Sequence, residues 1–498
     1  MNLLINRAFN SFLIGIICLL SNICEIQAQS FDNYKKRNRS DFQQYKSDKQ
    51  RKFKEYRDRI NAEFAGYMRR TWPEYRSQPA RPVPDSPEPP APVIKDPDRQ
   101  PSNDPIPFDK VKPAPELVEP PQPVVPLPSP QPVVPDRSML IFTFYGQKCR
   151  IPLENKHRFA LKDATENSLA DGWMILSSDE YLPVVAQCLE YRDKLCLCDW
   201  GYMRFIEQMT TEFFSPAQLN EARLMQMYIL TQSGYKVRIA RAGKQLVLLL
   251  PSKDTIYQYS YLNIGGVNYY IIDSLLGQTS FSVFNQEFPK EQDFSLEITR
   301  QPILPILETA PRLLQSKLDN GLEANVILNK NLIDFYNDYP LSSNWNIYAN
   351  ASLSQKTKDQ LYPVLRIFMT GKNKLDAANI LLHFVQTAFE YATDDEQFGV
   401  ERALFADETL FYPYSDCEDR AILYSALVRE LLGLDVVLLH YPGHLATAVC
   451  FNSDDVYGDY LQINDKRYIV CDPTYINADI GQAMPQYKQI IANVIRIQ

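Results

Sequence analysis

Beyond its first 29 residues the chain has no apolar run long enough to cross a bilayer. That absence argues against any membrane span once a leader is removed. A surplus of positive charge is missing too: the net charge is −8 and the pI about 5.3. Nothing global therefore points to nucleic acid. Paired metal-binding cysteines are also lacking. Cys196-Leu-Cys198 has no second pair and no histidine nearby, and the whole chain has only four histidines, so a zinc site is not expected. What the chain does have is length, apolar content and proline. Its 498 residues are too many for one core, and 45% hydrophobic with 12% aromatic residues can fill two or three.

Residues 1–28 read as a secretory signal. Arg7 supplies the charge, Phe12 to Leu20 the apolar run, and Ile26-Gln27-Ala28 the cleavage site. Cys24 follows Ser-Asn-Ile, a poor lipoprotein box, so cleavage is favoured over lipid anchoring. The mature protein is therefore expected to be exported: periplasmic, associated with the cell envelope, or secreted. Seven of nine cysteines remain after the signal. An odd number leaves at least one thiol unpaired, which suits a nucleophile.

Residues 29–72 carry an aromatic repeat. The pairs Phe31/Tyr34, Phe42/Tyr45, Phe53/Tyr56 and Phe64/Tyr67 recur at one constant spacing, and Tyr75 falls one period after Phe64. An 11-residue period keeps an apolar stripe almost straight along a helix. One helix cannot bury such a stripe alone, so residues 31–75 are expected to be helical and to serve self-association or envelope attachment. The alternative is a solvated spacer. Residues 73–137 then hold 22 of the 36 prolines and read as an extended tether with no packed core.

The globular part is expected to be α+β. It begins at 138 with the strand-like run LIFTFY, becomes β-rich over 276–345, and turns helical again from 346 to 498. Its organising stretch runs from Ser415 to Tyr475. Cys417 starts an apolar-periodic helix that Gly433 ends; Leu434 to His440 reads as a strand. Pro442-Gly443 makes a turn, His444 opens a second strand, and a third ends at Asp472 before Pro473. A thiol at a helix N-terminus feels the positive end of the dipole. A histidine on a neighbouring strand can exchange its proton, and an aspartate on the next can fix the imidazole. Strand alternation puts Cys450 on the face of His444, and Cys471 on the face opposite Asp472, which disfavours a Cys450–Cys471 disulfide.

This order of Cys417, His444 and Asp472 resembles the transglutaminase-like branch of the papain-like cysteine enzymes, over roughly the last 120 residues. Asp-Cys-Glu-Asp and Pro-Gly-His are most similar to bacterial transglutaminase-like cysteine proteinases; Asp472-Pro473-Thr474 is closer to the general transglutaminase core. The resemblance implies an exported cysteine hydrolase that cuts peptide bonds of envelope proteins or peptides through a thioester. Amide cross-linking, or a non-enzymatic envelope-binding or scaffold role with the triad kept by descent, stays open. No cofactor is required. In those relatives, acidic residues beside the cysteine help bind calcium, so Asp416 and Glu418 become possible ligands; as helix N-caps they have a purely structural reading too. The Cys417 N–H is a natural oxyanion donor, with the Tyr414 hydroxyl a lesser one. His440, His157 and His383 read as structural.

A second copy is expected inside the globular part. At an offset of 199 positions (433 − 234), GLDVVLL at Gly433 meets GYKVRIA at Gly234, and YLQINDKRYIVCD meets YLNIGGVNYYIID, with Asp472 on Asp273. Cys417 and His444 fall on Gln218 and Gln245. Residues 138–275 thus read as a degenerate transglutaminase-like domain, and 346–498 as the catalytic one. Chance similarity of two α/β segments is the alternative.

Overall fold

The structure, a computed structural model, describes residues 35, 37–39, 41–84, 93–98, 105–106, 111–112, 139–273, 278–451 and 456–497. The expected signal peptide and residues 85–92, 99–104, 107–110 and 113–137 of the expected tether lie outside the described residues. The chain is α+β and divides into two units, residues 1–66 and 67–498.

The first unit is dominated by helix α1, which spans 41–68 and so runs just past the boundary. Its charged positions pair along the helix, Arg51 with Glu55 at 3.1 Å and Lys54 with Asp58 at 3.1 Å. These are exposed four-residue steps worth a few tenths of a kcal/mol each. Phe42 and Tyr45 are exposed, whereas Phe53 and Tyr56 are half-buried. Phe31 and Tyr34 lie outside the described residues. The helix does not reach Tyr75, contrary to expectation. Pro73 cannot continue it, and Tyr75 enters a strand.

The second unit holds two six-stranded sheets. The first is built from β1 (Glu74–Arg76), β5 (Arg238–Ala242), β6 (Gln245–Ser252), β7 (Tyr261–Ile264), β8 (Val267–Ile271) and β9 (Ser280–Phe284), in the order β1-β9-β5-β6-β8-β7. The second contains β2 (Val111–Lys112), β12 (Asp435–Tyr441), β13 (His444–Cys450), β14 (Tyr460–Ile463), β15 (Lys466–Cys471) and β16 (Ala492–Arg496), ordered β14-β15-β13-β12-β16-β2. Two separate hairpins are β3 (Leu140–Phe144) with β4 (Gln147–Ile151), and β10 (Arg312–Gln315) with β11 (Glu323–Val326). Helices α2 (Glu166–Leu176), α3 (Leu182–Lys194), α4 (Asp199–Phe213) and α5 (Leu219–Gln232) precede β5. Helices α6 (Lys330–Asn337), α7 (Trp345–Ala349), α8 (Gln355–Met369), α9 (Lys374–Thr387), α10 (Asp394–Gln397), α11 (Ala406–Phe411) and α12 (Cys417–Leu432) precede β12.

The two sheets share more than strand count. In the first, Ile239 opposes Leu248, Leu250 opposes Tyr270, and Tyr261 opposes Tyr270. In the second, Leu438 opposes Thr447, Val449 opposes Ile469, and Tyr460 opposes Ile469. Each residue lies 199 positions after its counterpart. The helix before each sheet ends beside a glycine with positive φ, Gly234 at 93° and Gly433 at 61°. The last strand and the edge strand beside it break the correspondence, since β1 is antiparallel to β9 while β2 is parallel to β16. Phe284 opposes Ile239, and its counterpart at the same offset would be position 483, but Ile495 occupies that place. The connection after Asp472 is thus the longer of the two, by the difference between 495 and 483.

The structure corrects two expectations. Residues 276–345 are not a separate β region. β9 completes the first sheet between β1 and β5, and only β10–β11 form a hairpin of their own before α6. Nor does the proline-rich stretch run free where it is described. β1 pairs with β9, the Gln78 N–H donates to the Tyr261 carbonyl (2.7 Å), Ile94 bridges Ile476, and β2 pairs in parallel with β16. Ile106 is buried at 6% exposure. Proline forbids a central strand but permits edge pairing and single bridges, and β1 and β2 are both edge strands.

Candidate active site

α12 begins at Cys417 because Asp416 is extended (φ −109°, ψ −151°) and its carbonyl accepts the Arg420 N–H at 3.4 Å. Residues 417–428 are all buried, so this helix is the spine of its half. Arg420 anchors its first turn. The guanidinium donates to the Gln386 carbonyl (3.1 Å), the Phe389 carbonyl (3.2 Å) and the Ser415 hydroxyl (3.1 Å). A cation at the C-terminal end of α9 complements that helix's dipole. Burial lowers the Arg420 pKa, with the Asp416 and Asp419 carboxylates among the groups that oppose it.

His444 and Asp472 pair directly, and Cys417 reaches the backbone of the residue beside His444. His444 Nε2 lies 2.9 Å from Asp472 Oδ2, with side-chain exposures of 0% and 3%. Asp472 Oδ1 accepts the Thr474 N–H at 3.0 Å, which orients the carboxylate. The other ring nitrogen of His444, Nδ1, is buried and has no hydrogen-bond partner among the described residues. The Cys417 sulfur accepts the N–H of Leu445, the residue next to His444, at 3.4 Å. Its thiol donates to Glu418 Oε2 at 3.2 Å. His444 and Asp472 share one face of the sheet, as alternation requires, while Cys471 belongs to the other. Cys450 and Cys471 form no disulfide with each other.

Aromatic rings enclose the imidazole. Tyr487 lies nearly parallel to it at 4.5 Å (16°), and Tyr441 at 6.3 Å (18°). Such stacking keeps water from the His–Asp pair. Tyr487 carries no sequence signal, because it sits far along the extended connection after Asp472. Gln386 of α9 carries none either. Its amide donates to the carbonyls of Asp472 (3.3 Å), Tyr475 (2.9 Å) and Ala478 (2.9 Å), holding the chain that follows the aspartate.

Asp416 and Glu418 each belong to a carboxylate group, and the two groups share Asp394. Asp394, Asp416 and Asp419 bring oxygens within 4.8 Å of one another, as do Asp394, Glu401 and Glu418. Asp394 and Glu401 come from α10 and the loop after it, well upstream of Cys417. Their acidity alone gives no sequence signal. All but Glu401 are fully buried. The donors are exclusively carboxylate oxygens, which suits a hard cation such as calcium.

The other histidines lie elsewhere. His157 Nδ1 accepts the Glu154 N–H (2.9 Å), and His440 packs edge-on to Trp345 (5.7 Å). Burial lowers the pKa of each. His383 sits between Asp479 (2.9 Å) and Asp319 (3.5 Å). Tyr414 is 42% exposed, with its backbone bridged to Glu390. In the first sheet Asp273 takes the place of Asp472 but pairs with Arg223, one turn into α5. Gln218 ends a 3-10 turn and Gln245 opens β6. Among the described residues no helix is long and apolar enough to cross a membrane. No protein-family model, curated protein or solved structure matches the chain, so the site's geometry and chemistry carry the functional reading.

Proposed function

We propose that this protein is an exported, transglutaminase-like cysteine hydrolase acting on peptide bonds of envelope proteins or peptides. One observation carries the reading: Asp472 holds His444 by Nε2 and leaves Nδ1 buried without a partner, while the Cys417 sulfur sits on the N–H next to that histidine. Nδ1 takes the thiol proton, and the thiolate attacks the substrate carbonyl carbon. The Cys417 backbone N–H, in the first helical turn, supports the oxyanion. His444 returns the proton to the departing amine as the C–N bond breaks, leaving a thioester. Water then attacks the thioester, His444 accepts its proton, and the acid leaves as the thiol reforms. An amine in place of water would make the same intermediate a cross-linker.

Glu418 beside the sulfur opposes thiolate formation. Asp394, Asp416 and Asp419, or Asp394, Glu401 and Glu418, would hold a calcium ion, whose charge offsets the carboxylates when bound. The first half, with the strand register of the second but Gln218 and Gln245 at the reactive positions, is read as a degenerate copy that binds or covers rather than reacts. Export and attachment through the helical repeat complete the proposal.

The test is alkylation of the mature protein by iodoacetamide near neutral pH, with and without a calcium chelator. Cys417 is expected to label preferentially, His444→Ala to slow it at least tenfold, and chelation to slow it too. Equal rates with and without His444 would remove the enzyme reading and favour a binding role.

A further inference from the structure

Cys417 is 1% exposed and His444 2% exposed, so no polypeptide can reach the sulfur in this conformation. The connection from Pro473 to Ile491, the segment that outruns its counterpart in the first half, covers the His444 side of the site. It brings Tyr487 onto the His444 ring and buries Tyr475, Ala478 and Met484 in a small cluster of their own. The cover is pinned to the sheet in several places. Asp459 accepts the Ala483 N–H (3.0 Å) and pairs with Lys488 (2.6 Å), and the Asp459 N–H donates to the Gly481 carbonyl (2.8 Å).

A second layer lies on that cover, and it comes from the proline-rich stretch. The Ile476 N–H donates to the Val93 carbonyl, and the Lys95 N–H donates to the Ile476 carbonyl, both at 2.9 Å. Val93 packs on the Tyr475–Ala478–Met484 cluster beside Tyr487. Further along, Ile106 enters the cluster that contains Tyr441 and Ala483, with Tyr487 and Ile490 packed against it, and its N–H donates to the Tyr460 carbonyl (2.9 Å). Ile106 thus shares a cluster with Tyr487, while its backbone partner is β14 and not the cover. Among the described residues the hold of this strap at Ile476 is two backbone hydrogen bonds and one half-buried valine, at the margin of the fold. Such a contact can open locally while the sheet stays folded.

We propose that the strap segment Val93–Lys95 is an autoinhibitory latch, which keeps the 473–491 cover closed on His444, the base that would activate Cys417, until it is peeled away. The proposal rests on the reading of Cys417 as the nucleophile. An extended stretch rich in proline is suited to the task, since it holds this contact at little ordering cost. Peeling it frees Ile476 and Val93's packing site, and the cover can then lift Tyr487 from the imidazole.

The experiment compares iodoacetamide labelling of Cys417 in the full chain and in two strap variants. Lys95→Pro removes the N–H that bonds Ile476, in a stretch already rich in proline. Val93→Asp removes the apolar contact. Both are expected to speed labelling at least tenfold, while Cys471, which is fully buried in the same half, stays unlabelled. Unchanged rates in both variants would overturn the latch, and so would equal acceleration at Cys471, which would mean general loosening. Adding His444→Ala to the Lys95→Pro protein separates the two proposals. If the gain disappears, both stand. If fast labelling persists without His444, the latch stands and the catalytic reading falls.

Discussion

At His444 one ring nitrogen is committed to a carboxylate and the other is held dry and empty-handed. His383 is built the other way. Burial pulls its pKa down, but Asp319 and Asp479, bonded on either side, outweigh that and raise it to about 9. A histidine whose folded pKa is raised stabilises the fold fully below its unfolded value near 6.5, and the contribution vanishes as pH climbs through about 9. Asp479 is half-exposed, so solvent screening trims the effect. His383→Gln is therefore expected to cost about 1–2 kcal/mol at pH 6.5 and almost nothing at pH 10. Denaturant unfolding of both proteins at the two pH values measures it, and an equal loss at both would mean packing, not charge, is what His383 supplies.

The decisive element is the cover between β15 and β16. It crosses the sheet end where Gly458 and Gly481 meet backbone to backbone. A Cβ on Gly481 (φ 87°) would lie 2.6 Å from the Gly458 Cα and 2.7 Å from the Tyr457 carbonyl oxygen. No side chain can yield there, so glycine is required for both the angle and the approach. Gly481→Ala is expected to destabilise the protein by about 2 kcal/mol or more, read as a lower Tm. A Tm indistinguishable from the parent's would show that the cover is not seated on Gly458 as described. By contrast Gly433, at φ 61°, needs only the left-handed conformation, since a Cβ there meets open space.

On the scale of the whole molecule, one strand register occurs twice with different chemistry. The first sheet keeps the aspartate, but a guanidinium from α5 pairs with it, and burial raises the Asp273 pKa against that partner. Glutamine supplies neither a thiol nor a titratable imidazole. The double variant Gln218→Ala/Gln245→Ala is expected to leave Cys417 labelling within about twofold of the parent. A drop of tenfold would mean the first half takes part in the chemistry. The same strap edges both sheets, through β1 in the first and β2 in the second, so the two halves are tied by a segment that composition marks only as proline-rich.

What the sequence determined by itself was local and periodic. Apolar spacing and Gly433 set the span of α12. Alternation put Cys450 on the face of His444 and Cys471 on the face opposite Asp472, and the glycines and strand spacing of one half recur at a constant offset in the next. These follow because helix and strand periods are written in neighbouring residues. Tertiary structure alone decided the rest. Asp394 and Glu401 join Asp416 and Glu418, Arg420 reaches the end of α9, Tyr487 comes to lie on His444, and Val93 seats on the cover. Each of those contacts joins segments separated by a chain path that no local pattern encodes. Proline content in particular says that a stretch is extended, while which sheet edge it meets depends on where the folded core leaves backbone N–H and C=O groups to be paired.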